Sequence, residues 1–278
     1  MNLTTDNCNF NGSGIALGHP VGSTGLRIVV SLYYELERQG KTTGGASLCV
    51  GTGPAMASLQ DPALDIDVLL ISGFTQLHEP EVRGRVFADT AQALRQWRAA
   101  RPELFIHLEL GAMPEFRHVR QIVEELHPYV TSVGMNIDEL RELLAVDGIV
   151  MAAPGPELVA QMRALSAQFP TPRFSVHTRE FCLTLTEADP DQERDALLFG
   201  SLTAATRARI AAFPALSDLA VTLEQGTING LGLALMHELS GVPGVVVTPG
   251  IAFTGPTATV GLGDSFTVMP VQIYNWTT

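Results

Sequence analysis

The stretch Thr259-Val260-Gly261-Leu262-Gly263-Asp264-Ser265 sets a carboxylate among unhindered backbone N–H groups. Phosphoryl transfer needs that combination: amides to hold the transferring group, and a base to take the proton of an acceptor hydroxyl. Gly261 and Gly263 let the chain turn tightly and approach a ligand, and Asp264 would be the base. The competing reading is an ordinary turn with Asp264 as a helix N-cap. Asn136-Ile137-Asp138-Glu139 puts an amide and a carboxylate on one face of an opening helical turn. They could orient a hydrated Mg²⁺ beside phosphates, or simply form a capping box with Asn136 as N-cap and Glu139 at N3. His107 and Glu109 alternate in an apolar run, so both project from one strand face, where polar groups are costly unless used or paired. A site role and a satisfied buried His–Glu pair both remain open. His177, beside Arg179, could approach an adenine or a phosphate, or be solvated. At the other end of the chain, Gly18-His19-Pro20 and Cys49-Val50-Gly51-Thr52-Gly53 belong to a different chemistry.

The elements that must hold these residues alternate. Leu26, Val29, Val30, Tyr33 and Leu36 recur at helical spacing and stop at Gly40, which predicts a helix over 22–39. Strands are expected at 46–50 and 55–59, and the polar stretch around 60–67 marks a boundary. Beyond it the pattern predicts strands at 68–72, 104–110, 130–135, 174–177, 182–185 and 245–247. Helices are expected at 81–100, 115–126, 137–146, 157–168, 192–213 and 231–239. Continuous apolar strands between amphipathic helices imply an α/β fold, a mostly parallel Rossmann-like sheet with helices on both faces. Ligands of such sheets lie outside the carboxyl ends of the strands, where Ser72, His107 with Glu109, Asn136 and His177 fall. Arg207 and Arg209 are expected to face solvent, though one of them could meet phosphate.

With 278 residues and 46% apolar content, the chain can bury a sizeable core. The 17 Lys and Arg against 29 Asp and Glu, net −12, argue against nucleic acid or an anionic membrane as partner and favour a small metabolite. Cys8, Cys49 and Cys182 form neither a metal cluster nor a disulfide framework, which suits a reducing cytosol. No signal peptide and no apolar run of about 18 residues is evident, so a cytoplasmic protein is expected. Oligomeric state is not encoded legibly.

Residues 66–267 resemble the ADP-dependent glucokinase and phosphofructokinase family, a branch of the ribokinase-like fold. The resemblance is carried by Asp67-Val-Leu-Leu-Ile-Ser-Gly73, His107-Leu-Glu-Leu-Gly-Ala112, Tyr129 to Leu140, Arg173-Phe-Ser-Val-His-Thr178 and Thr259-Val-Gly-Leu-Gly-Asp264. It implies transfer of phosphate from ADP to a sugar or sugar phosphate, with Mg²⁺. Asp264 would be the base, and Val260, Gly261, Leu262 and Gly263, with His177, would line the nucleotide. Glu109, Asn136 and Glu139 would form the metal surroundings, with His107 beside them. The family's N-terminal half, with its sugar-binding lid, has no counterpart in these residues, and Pro270 interrupts the helix expected after Asp264.

Residues 8–60 are similar to the C-terminal end of a thiolase, through Asn9 to Gly25 and Leu48-Cys-Val-Gly-Thr-Gly53. In that likeness His19 activates a nucleophilic cysteine and lines an oxyanion site, and Cys49 is an acid or base. The nucleophilic cysteine itself has no counterpart here. The expected organisation is therefore a thiolase-like segment at 1–60, whose two strands add to the edge of a kinase-like sheet at 61–278. Three functions stay open: an ADP-dependent sugar kinase, a thiolase-type acyltransferase, and a non-catalytic chimeric remnant.

Overall fold

The structure, a computed structural model, describes residues 24–40, 67–74, 77, 79–111, 116–211 and 214–252. The expected strands at 46–50 and 55–59, and His19, Cys49, Val260, Gly261, Leu262, Gly263 and Asp264, lie outside the described residues. The described residues form two compact units. One holds those up to Asp67 together with Gly73–Leu104; the other holds Val68–Ser72 and those from Phe105 onward.

In the first unit, α1 (Thr24–Gln39) ends at Gly40, whose φ of 62° is open to a residue without Cβ. Helix α2 (Pro80–Ala100) starts on a proline at N1, where a missing N–H costs nothing. It buries Arg83, Phe87, Ala91, Leu94 and Trp97, a stripe at three- and four-residue spacing. Phe74 meets Phe87 edge-on, with ring centroids 5.6 Å apart.

The second unit is built on a six-stranded sheet in the order β1 (Val68–Ile71), β2 (Phe105–Glu109), β3 (Ser132–Asn136), β4 (Arg173–His177), β5 (Phe181–Thr186) and β7 (Val245–Pro249). The first four strands are parallel; β5 pairs antiparallel with β4 and β7, so β7 runs with the first four. All five residues of β2 and all six of β5 are buried, as strands covered on both faces must be. Helix α3 (Phe116–Leu126) buries Val119, Ile122, Val123 and Leu126, spaced at i, i+3, i+4 and i+7. It packs on α4 (Ile137–Val146), while α5 (Pro156–Gln168) buries Leu158, Val159, Met162 and Leu165. Helices α6 (Pro190–Ile210) and α8 (Gly230–Glu238) pack on β5 and β7. A small antiparallel pair, β6 (Thr227–Ile228) with β8 (Ile251–Ala252), stands apart from the main sheet.

The helix expected over 192–213 begins at Pro190, capped by Asp189, and its C-cap is Ala211 in the left-handed region. Helix α7 (Leu216–Gln225) then follows without being foreshadowed. Its N-cap is Ala215, which has no side-chain acceptor, and Asp218 Oδ2 accepts instead from the Ala215 N–H at 2.8 Å. The usual polar start signal is therefore missing. Arg209, expected to face solvent, donates to Thr222 Oγ1 at 3.1 Å and to the Asp218 carbonyl at 3.0 Å, fastening α7 to α6.

Candidate functional site

Parallel pairing brings the carboxyl ends of β2, β3 and β4 side by side, with Glu109 opposite Gly134 and Asn136 opposite His177. Residues far apart in sequence become neighbours there. Glu109 accepts from two imidazoles: His107 Nε2 lies 3.1 Å from Oε2, and His177 Nε2 lies 2.9 Å from Oε1. His107 Nδ1 is 2.8 Å from Ser132 Oγ, the residue opposite it on β3. Ser132 Oγ accepts from Arg173 Nη1 at 3.0 Å, and Arg173 Nη2 is 2.8 Å from Glu193 Oε1.

Gly134 makes the arrangement possible. A Cβ added there would overlap the Glu109 carboxylate and lie 2.7 Å from both Cε1 and Nε2 of His107. The side chains of β2 thus lean across a glycine, a close approach that no other residue permits.

On β3 and α4, Asn136 Oδ1 accepts from the N–H groups of Asp138 and Glu139, at 2.8 and 3.0 Å. Glu139 answers with both oxygens, accepting from the Asn136 backbone N–H and its side-chain Nδ2, each at 2.8 Å. The capping box is formed. Glu139 is only 3% exposed, so this carboxylate is buried as well as capping.

Charge states differ sharply within this small region. Burial pushes the Glu139 carboxyl up, the bond from the Asn136 N–H opposes it, the nearby Glu109 charge adds to the rise, and the result is about 7. Burial would also raise Glu109, but the two imidazole hydrogen bonds and the attraction of His177 outweigh it and hold the carboxyl at about 2. Burial lowers His107 and outweighs the hydrogen bond to Glu109. For His177 the balance reverses: burial opposes the charge, yet Glu109 and Glu139 together raise it. The strand ends therefore present an ionised carboxylate flanked by one imidazole whose protonation is disfavoured and one whose protonation is favoured, with a carboxyl raised to about 7 nearby.

Stability should follow these shifts. Glu109, held below its ordinary 4.5, stabilises the fold above pH 4.5 and ceases to as the pH falls toward 2. Glu139, raised to about 7, favours folding as the pH falls from about 7 to 4.5. His177 adds to the rise on acidification, while His107 opposes it as the pH falls below 6.5. Denaturant titrations in chelator-treated buffer are expected to show stability rising and then falling as the pH drops. Glu139→Gln should flatten the rise and Glu109→Gln the fall; a Glu109→Gln profile identical to the parent's contradicts the assignment.

Of the residues singled out by sequence, His107, Glu109 and His177 share one hydrogen-bonded cluster, and Asn136 pairs with Glu139. Arg179 is exposed on the turn between β4 and β5. Among the described residues, no group of three or more His, Cys, Asp and Glu side chains is disposed to hold a bare metal ion, and no helix is long and apolar enough to cross a membrane. Cys182 is buried, and its thiol is pushed up to about 11 by burial. Ser132, Arg173 and Glu193 were not foreseen. The available signal was a polar residue opening each of two buried strands, a placement tolerated only with a partner.

Residues 55–269 match the family model of the ADP-specific phosphofructokinase/glucokinase conserved region, and residues 1–61 match that of the thiolase C-terminal domain. Among solved structures, a phosphofructokinase from Pyrococcus horikoshii with AMP is similar at a TM-score of 0.69 and 19% identity, covering 79% of this chain and 53% of that one. An ADP-dependent kinase in complex with fructose-6-phosphate and ADPβS is similar at 0.68 and 19% identity, covering 78% and 55%. The likeness is one of fold, and the chain spans about half the length of these structures. Acetyl-CoA acetyltransferase of Synechocystis sp. is 49% identical over 57 residues, 20% of this chain and 14% of that protein. With residues 55–269 of its 278 matched by one family model and the sheet to go with it, the chain belongs to the ADP-specific phosphofructokinase/glucokinase family.

Proposed function

We propose that the chain carries the phosphoryl-transfer end of an ADP-dependent sugar kinase, with ADP as donor and a sugar or sugar-phosphate hydroxyl as acceptor. The observation that supports it is the cluster at the carboxyl ends of β2 to β4, where ligands of such sheets bind, within a chain of this family. His177, whose protonation Glu109 and Glu139 favour against burial, would meet an anionic ligand there. Backbone amides of Val260, Gly261, Leu262 and Gly263 would cradle the phosphate, and Asp264 would take the proton of the acceptor hydroxyl.

The residues also suit a hydrated Mg²⁺. Glu139 is buried and resists ionisation beside the charged Glu109, so a hydrated cation nearby would favour its ionised form. Asn136, Glu139 and Glu109 would orient those waters. When bound, Mg²⁺ would supply charge neutralisation at the phosphates. The boundary between the two parts is placed at residues 60 and 61, in a cytoplasmic protein.

Isothermal titration with ADP and MgCl₂ tests the reading. Heat of binding with a dissociation constant below about 1 mM, corresponding to roughly −4 kcal/mol, is expected. No heat at millimolar ADP would leave the non-catalytic remnant as the better description. A second reading rests on the 49% identity to an acetyl-CoA acetyltransferase over 57 residues. In it His19 and Cys49 serve acyl transfer, and thioester cleavage abolished by His19→Ala would favour it.

A further inference from the structure

The buried cluster does not stop at the strand ends. It continues inward as His107, Ser132, Arg173 and Glu193, joining β2, β3 and β4 to helix α6. Ser132 and Glu193 are fully buried, and Arg173 is 5% exposed. Nothing in the proposed phosphoryl transfer uses these three residues directly.

We infer that Ser132, Arg173 and Glu193 are positioning residues, which hold His107 in its Nε2–H tautomer and so keep Glu109 oriented as the acceptor shared by β2 and β4. The inference deepens the site proposed above and rests on that reading for its link to nucleotide binding.

The direction of each hydrogen bond follows from donor and acceptor inventories. A guanidinium has donors only, so at 3.0 Å Ser132 Oγ must accept from Arg173 Nη1. The single hydroxyl hydrogen is then available to His107 Nδ1 at 2.8 Å, which accepts it when the ring proton is on Nε2. An ionised carboxylate only accepts, so Nε2, 3.1 Å from Glu109 Oε2, is the nitrogen that carries the ring proton. The other tautomer would face a nitrogen lone pair toward a carboxylate oxygen and leave the serine hydrogen without its acceptor. Glu193 fixes the origin of the chain: Arg173 Nε is 3.0 Å from each of its oxygens, a forked contact that sets the plane of the guanidinium. Geometry closes the alternatives from the other side too. The His107 ring lies against Gly134 in space that even a Cβ would fill, so it is wedged between β3 and Glu109.

Histidine ¹⁵N labelling with long-range ¹H–¹⁵N correlation at neutral pH tests this on the full chain, with H107Q to identify the His107 signals. The parent protein is expected to show bare Nδ1 and protonated Nε2. S132A should shift the ring toward protonated Nδ1 and weaken the affinity for ADP with Mg²⁺ about tenfold, and S132T should restore both. A parent spectrum with protonated Nδ1 overturns the inference, as does a folded S132A with an unaltered His107 pattern. If the pattern changes while the ADP affinity of a binding-competent protein does not, the positioning role is overturned. Should S132A fail to fold, the parent spectrum decides alone. Failure of the proposed function looks different: no ADP binding in the parent, with the His107 pattern present and altered by S132A, removes the nucleotide reading and leaves the positioning of Glu109 standing.

Discussion

Replacing Glu193 with alanine is expected to destabilise the fold by about 3–5 kcal/mol, because it strands the Arg173 guanidinium in the interior without its counter-charge. Both partners are buried, the Glu193 side chain completely, and three contacts of 2.8 to 3.0 Å join them. The loss should appear as a lower denaturation midpoint with an unchanged slope against denaturant. The pair itself is worth far less than its breakage, since desolvating two charges offsets much of their attraction. Arg173→Met combined with Glu193→Leu should therefore recover most of the loss. That double variant also removes the guanidinium from which Ser132 accepts, so stability should recover without the orientation of His107 recovering with it. A Glu193→Ala cost under about 1 kcal/mol would mean that water or another carboxylate reaches Arg173, and the buried-pair description would fall.

The difference between what sequence made legible and what it hid follows range of interaction. His107 and Glu109 were visible because a strand's two-residue period is local, and so was the Asn136–Glu139 pair, whose partners are one helical turn apart. Long periodic helices such as α2 and α5 were visible for the same reason. The contact of His177 with Glu109 spans 68 positions, and that of Arg173 with Ser132 spans 41. No local pattern encodes such contacts; they exist because parallel register aligns β2, β3 and β4. Helix α7 escaped for a different reason. It buries only Leu219 and Thr222, leaving Leu216 and Leu223 exposed, so its apolar positions do not mark a buried stripe. Its anchorage is instead the pair of bonds from Arg209, a residue whose sequence context reads as surface. The strand expected at 182–185 is β5, but its antiparallel direction was hidden, since burial on both faces leaves no alternation to mark it.

Asp264→Asn is expected to lower the turnover of the proposed kinase by about 10²–10⁴-fold while leaving the affinity for ADP with Mg²⁺ within a few-fold of the parent. Asparagine keeps the shape and a carbonyl acceptor, and the amides of Gly261 and Gly263 are backbone groups that the change does not touch. What it removes is a group able to take a proton, and in phosphoryl transfer that contribution is separate from phosphate binding. The two effects must therefore dissociate: kcat falls and the binding isotherm persists. Fructose-6-phosphate and glucose, tried in turn with ADP, provide the assay, and a coupled measurement of AMP release reads it. Equal losses of turnover and of ADP affinity would assign Asp264 to ligand binding or to helix capping instead. Undiminished turnover would remove it from the chemistry altogether and leave the cluster of Glu109, His107 and His177 as the place to seek the proton acceptor. That alternative conflicts with Glu109 at about 2, a carboxylate too strongly held by its two imidazoles to serve well as a base near neutrality.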